Sequence, residues 1–528
     1  MQLTRRDLLI SAAGMAVIPR APRALRRPGD PFTLGVASGD PTPDGVVLWT
    51  RLAPNPLAED GHGGMSSRDA DVEWQLAEDE RFTRITRSGT VTARRAWAHS
   101  VHVEPAGLRP GTEYFYRFRT AGHVSPAGRT RTAPAPGTSP GLMFATVSCS
   151  NYEQGYFTGY RRLAEQQPDV VLHLGDYIYE YAPGGYKASD GMVVRPHTGG
   201  HCQTLTDYRR RHAQYKTDAD LRALHALAPW IPVNDDHEVE NNWAGTHPGT
   251  SHQPGFAERK RAGYRAYYEH MPLRRTSMPR GSRIQLYRRL SWGSLATFHV
   301  LDTRQVRDDQ PCDDGVRLDC DERLATGRVL TGPEQRRWLA SGLRSSGARW
   351  NVLAQQIFMA QHDYHLGPGK ELLVDTWDGY AAERDRVLGD VVASGARNPV
   401  VLTGDIHAHY ASDLLANFDD PDSRRVGVEL VTTSITSDGD GYDDAAGRAV
   451  ELAENPHIAY VDQRRGFVVC RLTARELRAD FHTMPYVSKR NAPSTISASF
   501  TVADGDHRLS RSRTATSRAR QAAAAGPR

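Results

Sequence analysis

The sequence predicts an α/β protein, a sandwich of two sheets flanked by helices and preceded by a smaller β-sandwich. Three observations predict it. Beyond Pro140, short apolar runs alternate with helix-length amphipathic stretches, as in layered α/β folds. Four of those runs stop at residues that bind metals: LMFATVSCS (Leu142–Ser150), VLHLGDYIYEY (Val171–Tyr181), WIPVNDDHEVENNW (Trp230–Trp243) and VVLTGDIHAHY (Val400–Tyr410). Open α/β sheets gather their chemistry at the carboxyl ends of strands, so these ends are expected to converge on one site. Before Pro140, from Phe32 to about Thr132, every local signal is β.

Taken in order, the chain starts with Thr4-Arg5-Arg6-Asp7-Leu8-Leu9 and the weakly apolar LLISAAGMAVI. A twin arginine before a short apolar stretch is an export signal, too short to span a bilayer. Residues 1–29 are therefore expected to engage the twin-arginine translocation machinery. That implies a secreted or cell-envelope protein with no transmembrane segment. Such export carries folded proteins, which suits metals inserted before departure.

Residues 30–135 are expected to form the N-terminal sandwich. VVLWTRL (Val46–Leu52), DVEWQLAED (Asp71–Asp79) and SVHVEP (Ser100–Pro105) alternate between Gly, Pro and Asp turns. GLRPGTEYFYRFRT (Gly107–Thr120) puts Tyr114, Tyr116 and Phe118 on one face. It resembles the corner of fibronectin type III and immunoglobulin-like sandwiches, with Tyr114 or Tyr116 as core or corner residue. Ala133–Gly137 reads as a linker.

Residues 138–505 are expected to form the larger domain. Strand Leu142–Cys149, helix Gly155–Gln166 and strand Val170–Asp176 make a βαβ unit. The amphipathic stretch Thr204–Pro229 leads into strand Trp230–Asp235. Helices are expected at Gln253–Met271, Gly332–Ser345 and Gly379–Ala393. Strands are expected within Ile284–Leu301 and at Trp350–Ile357, Pro399–Gly404, Val426–Ile435 and Gly466–Leu472. The tail 506–528, rich in Arg and Ala, reads as disordered.

With 39% hydrophobic and 24% charged residues, the 528-residue chain has a globular composition and is long enough for two domains. Its net charge of +4 hides an asymmetry. The terminal segments 1–29 and 507–528 hold twelve arginines and one acid, leaving the body at −7. That excludes a basic footprint and with it a stable nucleic-acid partner. Of five cysteines, Cys312 and Cys320 lie eight apart in an acidic, turn-rich loop and suit a disulfide. Cys202 and Cys470 either pair or remain thiols.

The candidate site has three acidic or imidazole-rich elements. In Gly175-Asp176-Tyr177-Ile178-Tyr179, a carboxylate directly after a strand can bridge two cations, and Tyr179 can turn back as a phenolate. A phenol with pKa about 10 ionises at neutral pH only beside high charge, which favours a trivalent ion. In Asp235-Asp236-His237-Glu238, strand geometry sends neighbours to opposite sides. Asp236 is assigned to a metal and His237 to the phosphate or leaving group, with Glu238 supporting them. Asn242 is a further oxygen ligand, or a turn residue. In Gly404-Asp405-Ile406-His407, the i, i+2 spacing lets Asp405 and His407 each face one ion. His409 continues that alternation as a supporting residue or lies outside the site. Cys149 completes the set as a thiolate, or is a buried structural thiol. Ser148 and Ser150 flank it with no base nearby and read as structural.

These residues resemble the calcineurin-like (purple-acid-phosphatase-like) metallophosphoesterases, and among them the PhoD-type alkaline phosphatases and phosphodiesterases. The resemblance runs from about Phe32 to Phe500. It includes FTLGVASGDPTPDGVVLWTRLAP (Phe32–Pro54), HLGDYIYEY, NDDHEVENNW, FHVLDTRQVRDDQPC (Phe298–Cys312), WNVLAQQIFMA (Trp350–Ala360), DTWDGYAAERDRVL (Asp375–Leu388) and VLTGDIHAHY.

The resemblance implies a four-layer α/β/β/α sandwich and a centre of Fe(3+) and Ca(2+). Cys149, Asp176, Tyr179 and His407 would hold iron, Asp176 would bridge, and Asp236 and Asp405 would complete the calcium side. Cys149 and Gly404-Asp405-Ile406-His407 replace the superfamily's Asp-x-His and Gly-His-x-His, and carboxylate in place of imidazole favours a harder ion. The superfamily's mid-chain histidine has no counterpart; Val352–Gln356 occupies its place.

The expected function is hydrolysis of phosphate monoesters or diesters. A metal-bound oxygen would be the nucleophile, with Asp236 and His237 as the catalytic residues and no phosphoenzyme. The alternatives are a phospholipase-D-like diesterase acting on lipid head groups, a nuclease acting on extracellular DNA, and a non-catalytic cell-envelope binder.

Overall fold

Alternation of side chains along the strands decides the layering of the computed structural model, which describes residues 29–188, 191–249 and 255–512. One set of side chains from the first large sheet, including Phe144, Leu172, Leu174, Ile231 and Val233, points inward. It meets Phe298, Val300, Val352, Leu402 and Leu430 of a second sheet. The opposite set (Ala145, Val147, Val171, Trp230, Val469) packs under helices Thr158–Ala164, Leu205–Lys216, Ala219–Leu227 and Phe256–His270. The outer face of the second sheet, with Leu353, Val401 and Val431, lies against helices Gly332–Arg344 and Ala381–Ser394. The order is helix, sheet, sheet, helix, and the strands buried on both faces are accordingly near-continuous in apolar residues.

The first sheet has ten strands. At its centre Leu142–Val147, Val170–Leu174 and Pro229–Val233 run parallel. On one side an antiparallel meander follows, Gly466–Leu472, Glu476–Thr483, Thr495–Ala503 and Ser510–Arg511. Residues 506–512, expected to belong to a disordered tail, are instead placed against this sheet, and the rest of that tail lies outside the described residues. The second sheet has seven strands, with Ala296–Val300, Trp350–Ala354, Pro399–Thr403 and Arg425–Val431 parallel at its middle. The amphipathic stretch from Thr204 divides into two helices. Thr204 and Asp207 form a reciprocal capping box on the first, and the Asp218 side chain accepts from the backbone at the start of the second.

The N-terminal strands are shared. Ala70–Ala77, Ile85–Ala93, Glu113–Thr120, His123–Val124 and Gly128–Arg131 form a five-stranded sheet. Its Val72, Leu76, Tyr114, Tyr116 and Phe118 pack against Val36, Val46, Leu48 and Val101. Those facing residues belong to strands that extend the ten-stranded sheet, where Val36–Thr42 pairs in parallel with Pro229–Val233. No break in pairing marks residue 135. Cys312 and Cys320 are joined, whereas Cys202 and Cys470 are separate buried thiols. The twin-arginine segment lies outside the described residues. Among the described residues, no helix is long and apolar enough to cross a membrane.

Candidate metal centre

The strands stop short of the candidate metal-binding residues they deliver. They end at Val147, Leu174, Val233 and Thr403, and the chain then turns sharply. Cys149 (φ 55°), Asp176 (φ 55°), Asn242 (φ 53°), Asp405 (φ 62°) and His407 (φ 57°) all adopt left-handed backbone conformations. Side chains other than glycine rarely occupy this region, and such outliers cluster at functional sites. Two glycines permit the close approach of these turns. A Cβ on Gly175 (φ 108°) would lie 2.4 Å from that of Asp235, and one on Gly404 would lie 2.7 Å from that of Ser148. The two sheets join here, where Ile435 N–H donates to the Ser148 carbonyl at 3.0 Å.

Three groups of ligand atoms result, each within 4.8 Å of one another: Cys149, Asp176 and His407; Asp176, Asp236 and His237; and Asp235, Asp236 and Asp405. Asp176 belongs to the first two and Asp236 to the last two, so the groups form a chain with shared carboxylates. The Tyr179 hydroxyl lies 3.1 Å from both Asp176 Oδ2 and His407 Nε2. Cys149, Asp176, Tyr179, Asp236, Asp405 and His407 thus lie in one connected cluster. His237 was expected at the phosphate; it lies near enough to Asp176 and Asp236 to share a cation with them. Asn242 reaches the site through its backbone, which donates to Asp236 Oδ2 at 2.7 Å, while its side-chain amide donates to Asp314.

Burial is nearly complete and the charges are crowded. Burial and then the charge of Asp176 push the Cys149 thiol well up. Burial does the same to Tyr179, with Asp176 adding to it. Burial raises Asp176 and Asp405 far above the usual carboxylate range and Asp235 to about 6. Asp236 goes the other way: burial opposes its charge, but His237 and Arg304 hold it below that range. Buried carboxylate oxygens Asp176 Oδ1, Asp236 Oδ1 and Asp235 Oδ2 accept no hydrogen bond. A thiol, a phenol and several carboxylates that favour their neutral forms, with unpartnered buried oxygens among them, fit bound cations.

Supporting residues fix the ligands from behind. His407 Nδ1 lies 2.7 Å from Asp438, whose second oxygen accepts from Tyr186. His237 Nδ1 lies 2.8 Å from Glu180. Ser437 Oγ sits 2.7 Å from the Tyr179 hydroxyl. Glu238 takes the supporting part expected of it, accepting from the backbone N–H of Asp176, Tyr177 and Asp235 at 3.2, 2.5 and 2.7 Å. Its carboxyl is pushed up to about 8 by burial. Gln356 is occupied by Thr303 and the Leu301 carbonyl, so it does not replace the missing histidine. His409 lies outside the site, its ring held by the His482 carbonyl and the Thr433 N–H. Ser148 and Ser150 are buried, and the Ser150 hydroxyl donates to the Tyr177 carbonyl at 3.2 Å.

Sequence reasoning missed Arg304. It is fully buried, with Nε 2.5 Å from Asp235 Oδ1, Nη1 2.9 Å from Asp375, and Nη2 3.6 and 3.8 Å from Asp405 and Asp236. Its guanidinium supplies positive charge to the third carboxylate group. Asp375 and Asp438 were missed as well. Arg304 and Asp375 sit inside FHVLDTRQVRDDQPC and DTWDGY, which marked them as part of a motif without giving them a role.

Residues 144–481 match the PhoD-like phosphatase family, and residues 19–134 match the N-terminal domain of PhoD-like phosphatases. The chain is 49% identical over 472 residues to alkaline phosphatase D of Bacillus subtilis (strain 168), covering 89% of this chain and 80% of that protein. A solved structure of PhoD superposes with a TM-score of 0.90 at 48% identity, over 93% of this chain and 94% of that one. Purple acid phosphatase PPD1 of yellow lupin (Lupinus luteus) shares the fold alone, with a TM-score of 0.53 at 13% identity over 89% of this chain and 73% of that one. The donor set, its convergence and these likenesses have one reading: the chain belongs to the PhoD-like phosphatase family of metal-dependent phosphoesterases.

Proposed function

We propose that Cys149, Asp176, Tyr179 and His407 hold ferric iron and that Asp236 and Asp405 hold calcium with Asp176 between them, while Asn242 steadies Asp236 through its backbone N–H and not as an oxygen ligand. Membership of the family makes the chain a phosphoric ester hydrolase. The observation that carries the ion assignment is the mixed donor set: thiolate and phenolate at one end, carboxylates alone at the other. Soft and phenolic donors beside an imidazole suit iron, and oxygen donors suit calcium.

Bound cations would neutralise the phosphoryl oxygens and activate the attacking water. The chain's own residues do the rest. Glu180 fixes one nitrogen of His237 and leaves the other free toward the centre. From there His237 can protonate the departing alkoxide. The left-handed turns at Cys149, Asp176 and Asp405 hold the donors in place before substrate arrives, which limits reorganisation during the reaction. Export by the twin-arginine route, cleavage within residues 1–29 and a division of the chain near residue 135 are part of the same reading. They are supported by the arginine pair and by the family matches that end at 134 and begin at 144.

Elemental analysis of protein purified without chelator, alongside hydrolysis of p-nitrophenyl phosphate, tests this. Iron and calcium together with turnover are expected. Zinc alone would overturn the ion assignment.

A further inference from the structure

Three successive residues wrap the imidazole of His237. The Tyr179 ring lies 4.1 Å from it between centroids, Glu180 Oε2 lies 2.8 Å from its Nδ1, and the Tyr181 ring lies 5.6 Å away. Tyr186 adds another ring, nearly parallel to the imidazole at 6.3 Å and 5.5 Å from Tyr181. His201 meets Tyr181 edge-on at 5.7 Å.

Burial changes along this run. Tyr179 and Glu180 are fully buried, whereas Tyr181, Tyr186 and His201 are half-buried. The collar of rings therefore stands where the buried centre meets solvent. Asp438, 37% exposed and joined to the Tyr186 hydroxyl, continues the rim. The backbone under the collar is pinned: the Tyr179 carbonyl accepts from Arg211, the Glu180 carbonyl accepts from the Cys202 N–H at 2.8 Å, and the Tyr181 carbonyl lies 3.1 Å from His197 Nδ1. A ring fixed before a ligand arrives costs little ordering when it binds.

We propose that Tyr181, flanked by Tyr186 and His201, is the specificity-determining contact for the leaving alcohol, and that it selects alcohols bearing an aromatic ring close to the ester oxygen. The proposal rests on the phosphoesterase reading, with His237 as proton donor, and deepens it. An alcohol that departs toward His237 passes along these rings, and offset or edge contacts between aromatic rings favour a flat group over a saturated one of similar bulk. In the reaction the P–O bond to the alcohol breaks and a P–O bond to the water oxygen forms. His237 passes its proton to the departing oxygen and a proton from the water replaces it, with no change of oxidation state.

The test compares 2-phenylethyl phosphate with 2-cyclohexylethyl phosphate, using the metal-loaded full chain. The two leaving alcohols are almost equally acidic and differ in having a flat or a saturated ring. The wild type is expected to prefer the phenyl ester in kcat/KM by about fivefold, the size of one aromatic contact. Tyr181→Phe keeps the ring and should keep that ratio, while Tyr181→Leu should bring it to within about twofold of one. Tyr181→Met takes the place of Tyr181→Leu if the latter does not fold. Metal content and inhibition by inorganic phosphate, which has no leaving group, report on the centre itself and should match the wild type in each variant. A loss of either on removing the ring would assign Tyr181 a structural part and overturn the proposal. So would equal kcat/KM for the two esters in the wild type, or a ratio that survives loss of the ring. Continued hydrolysis of p-nitrophenyl phosphate would then leave the phosphoesterase reading intact, and hydrolysis of none of the three esters would overturn both.

Discussion

His407 is held from both sides. Its Nδ1 lies 2.7 Å from Asp438 Oδ2, and its Nε2 lies 3.1 Å from the Tyr179 hydroxyl. The carboxylate fixes the ring's rotation and tautomer, so that Nε2 is the nitrogen offered to a metal.

Asp438→Asn is therefore expected to weaken metal binding at the proposed iron side without removing a proposed ligand. Losing such a partner typically costs about 10–100-fold in metal affinity or activity. Competition with a graded chelator, read by iron content, checks it. Unchanged iron retention would contradict the positioning role.

Arg304→Met should be the most destabilising single change at the centre. It strips the counter-charge from Asp235 and Asp375 inside the protein. Breaking a buried pair in this way costs about 3–5 kcal/mol. Denaturant unfolding of the metal-free protein measures it, and a loss below about 1 kcal/mol would assign the arginine a minor role.

Gly175→Ala should disrupt the site through the backbone. The residue sits at φ 108°, and the new methyl group would meet Asp235 at 2.4 Å. Both the strain and the clash fall on a turn that carries Asp176. Loss of bound metal together with a lowered melting temperature is the expected result, while normal metal content would refute it.

Acid should weaken the fold through histidines far from the centre. Burial lowers His102 from the model-peptide value of 6.5 to about 4, although its Nε2 donates to the Met271 carbonyl at 2.9 Å. A folded pKa below the unfolded one means that the unfolded chain binds the proton more tightly. The stability this histidine contributes is thus complete above pH 6.5 and lost as pH falls toward 4, by on the order of 3 kcal/mol. His102→Gln keeps a donor for the carbonyl and removes the titration. Denaturant midpoints at pH 7 and pH 4.5 should lie closer together in this variant than in the wild type.

Much of the fold was legible because both faces of the central strands are buried. Leu142–Val147 and Pro399–Thr403 read as apolar runs with no competing pattern. The candidate donors were legible for a related reason: Cys149, Asp176, Asp236 and Asp405 stand where an apolar run stops. The strands were read two residues too long, through Cys149 and Asp176, because positive φ leaves no mark in residue type when the residue is Asp or Cys. Arg304 was illegible because its role depends on four carboxylates from three distant segments. The sharing of one sheet by both ends of the chain was hidden as well, since nothing in VASGDPT names Pro229–Val233 as its neighbour.

That parallel pairing has a practical consequence for anyone dissecting the chain. Val36–Thr42 caps the flank of the strand that leads to Asp235 and Asp236, and the Trp49 indole donates to the Glu269 carbonyl at 3.0 Å. A fragment cut at the linker would bare a hydrogen-bonding margin ready to stick to its own kind. The hydrolase should be produced with its leading hundred residues attached, or with a substitute strand supplied in their stead.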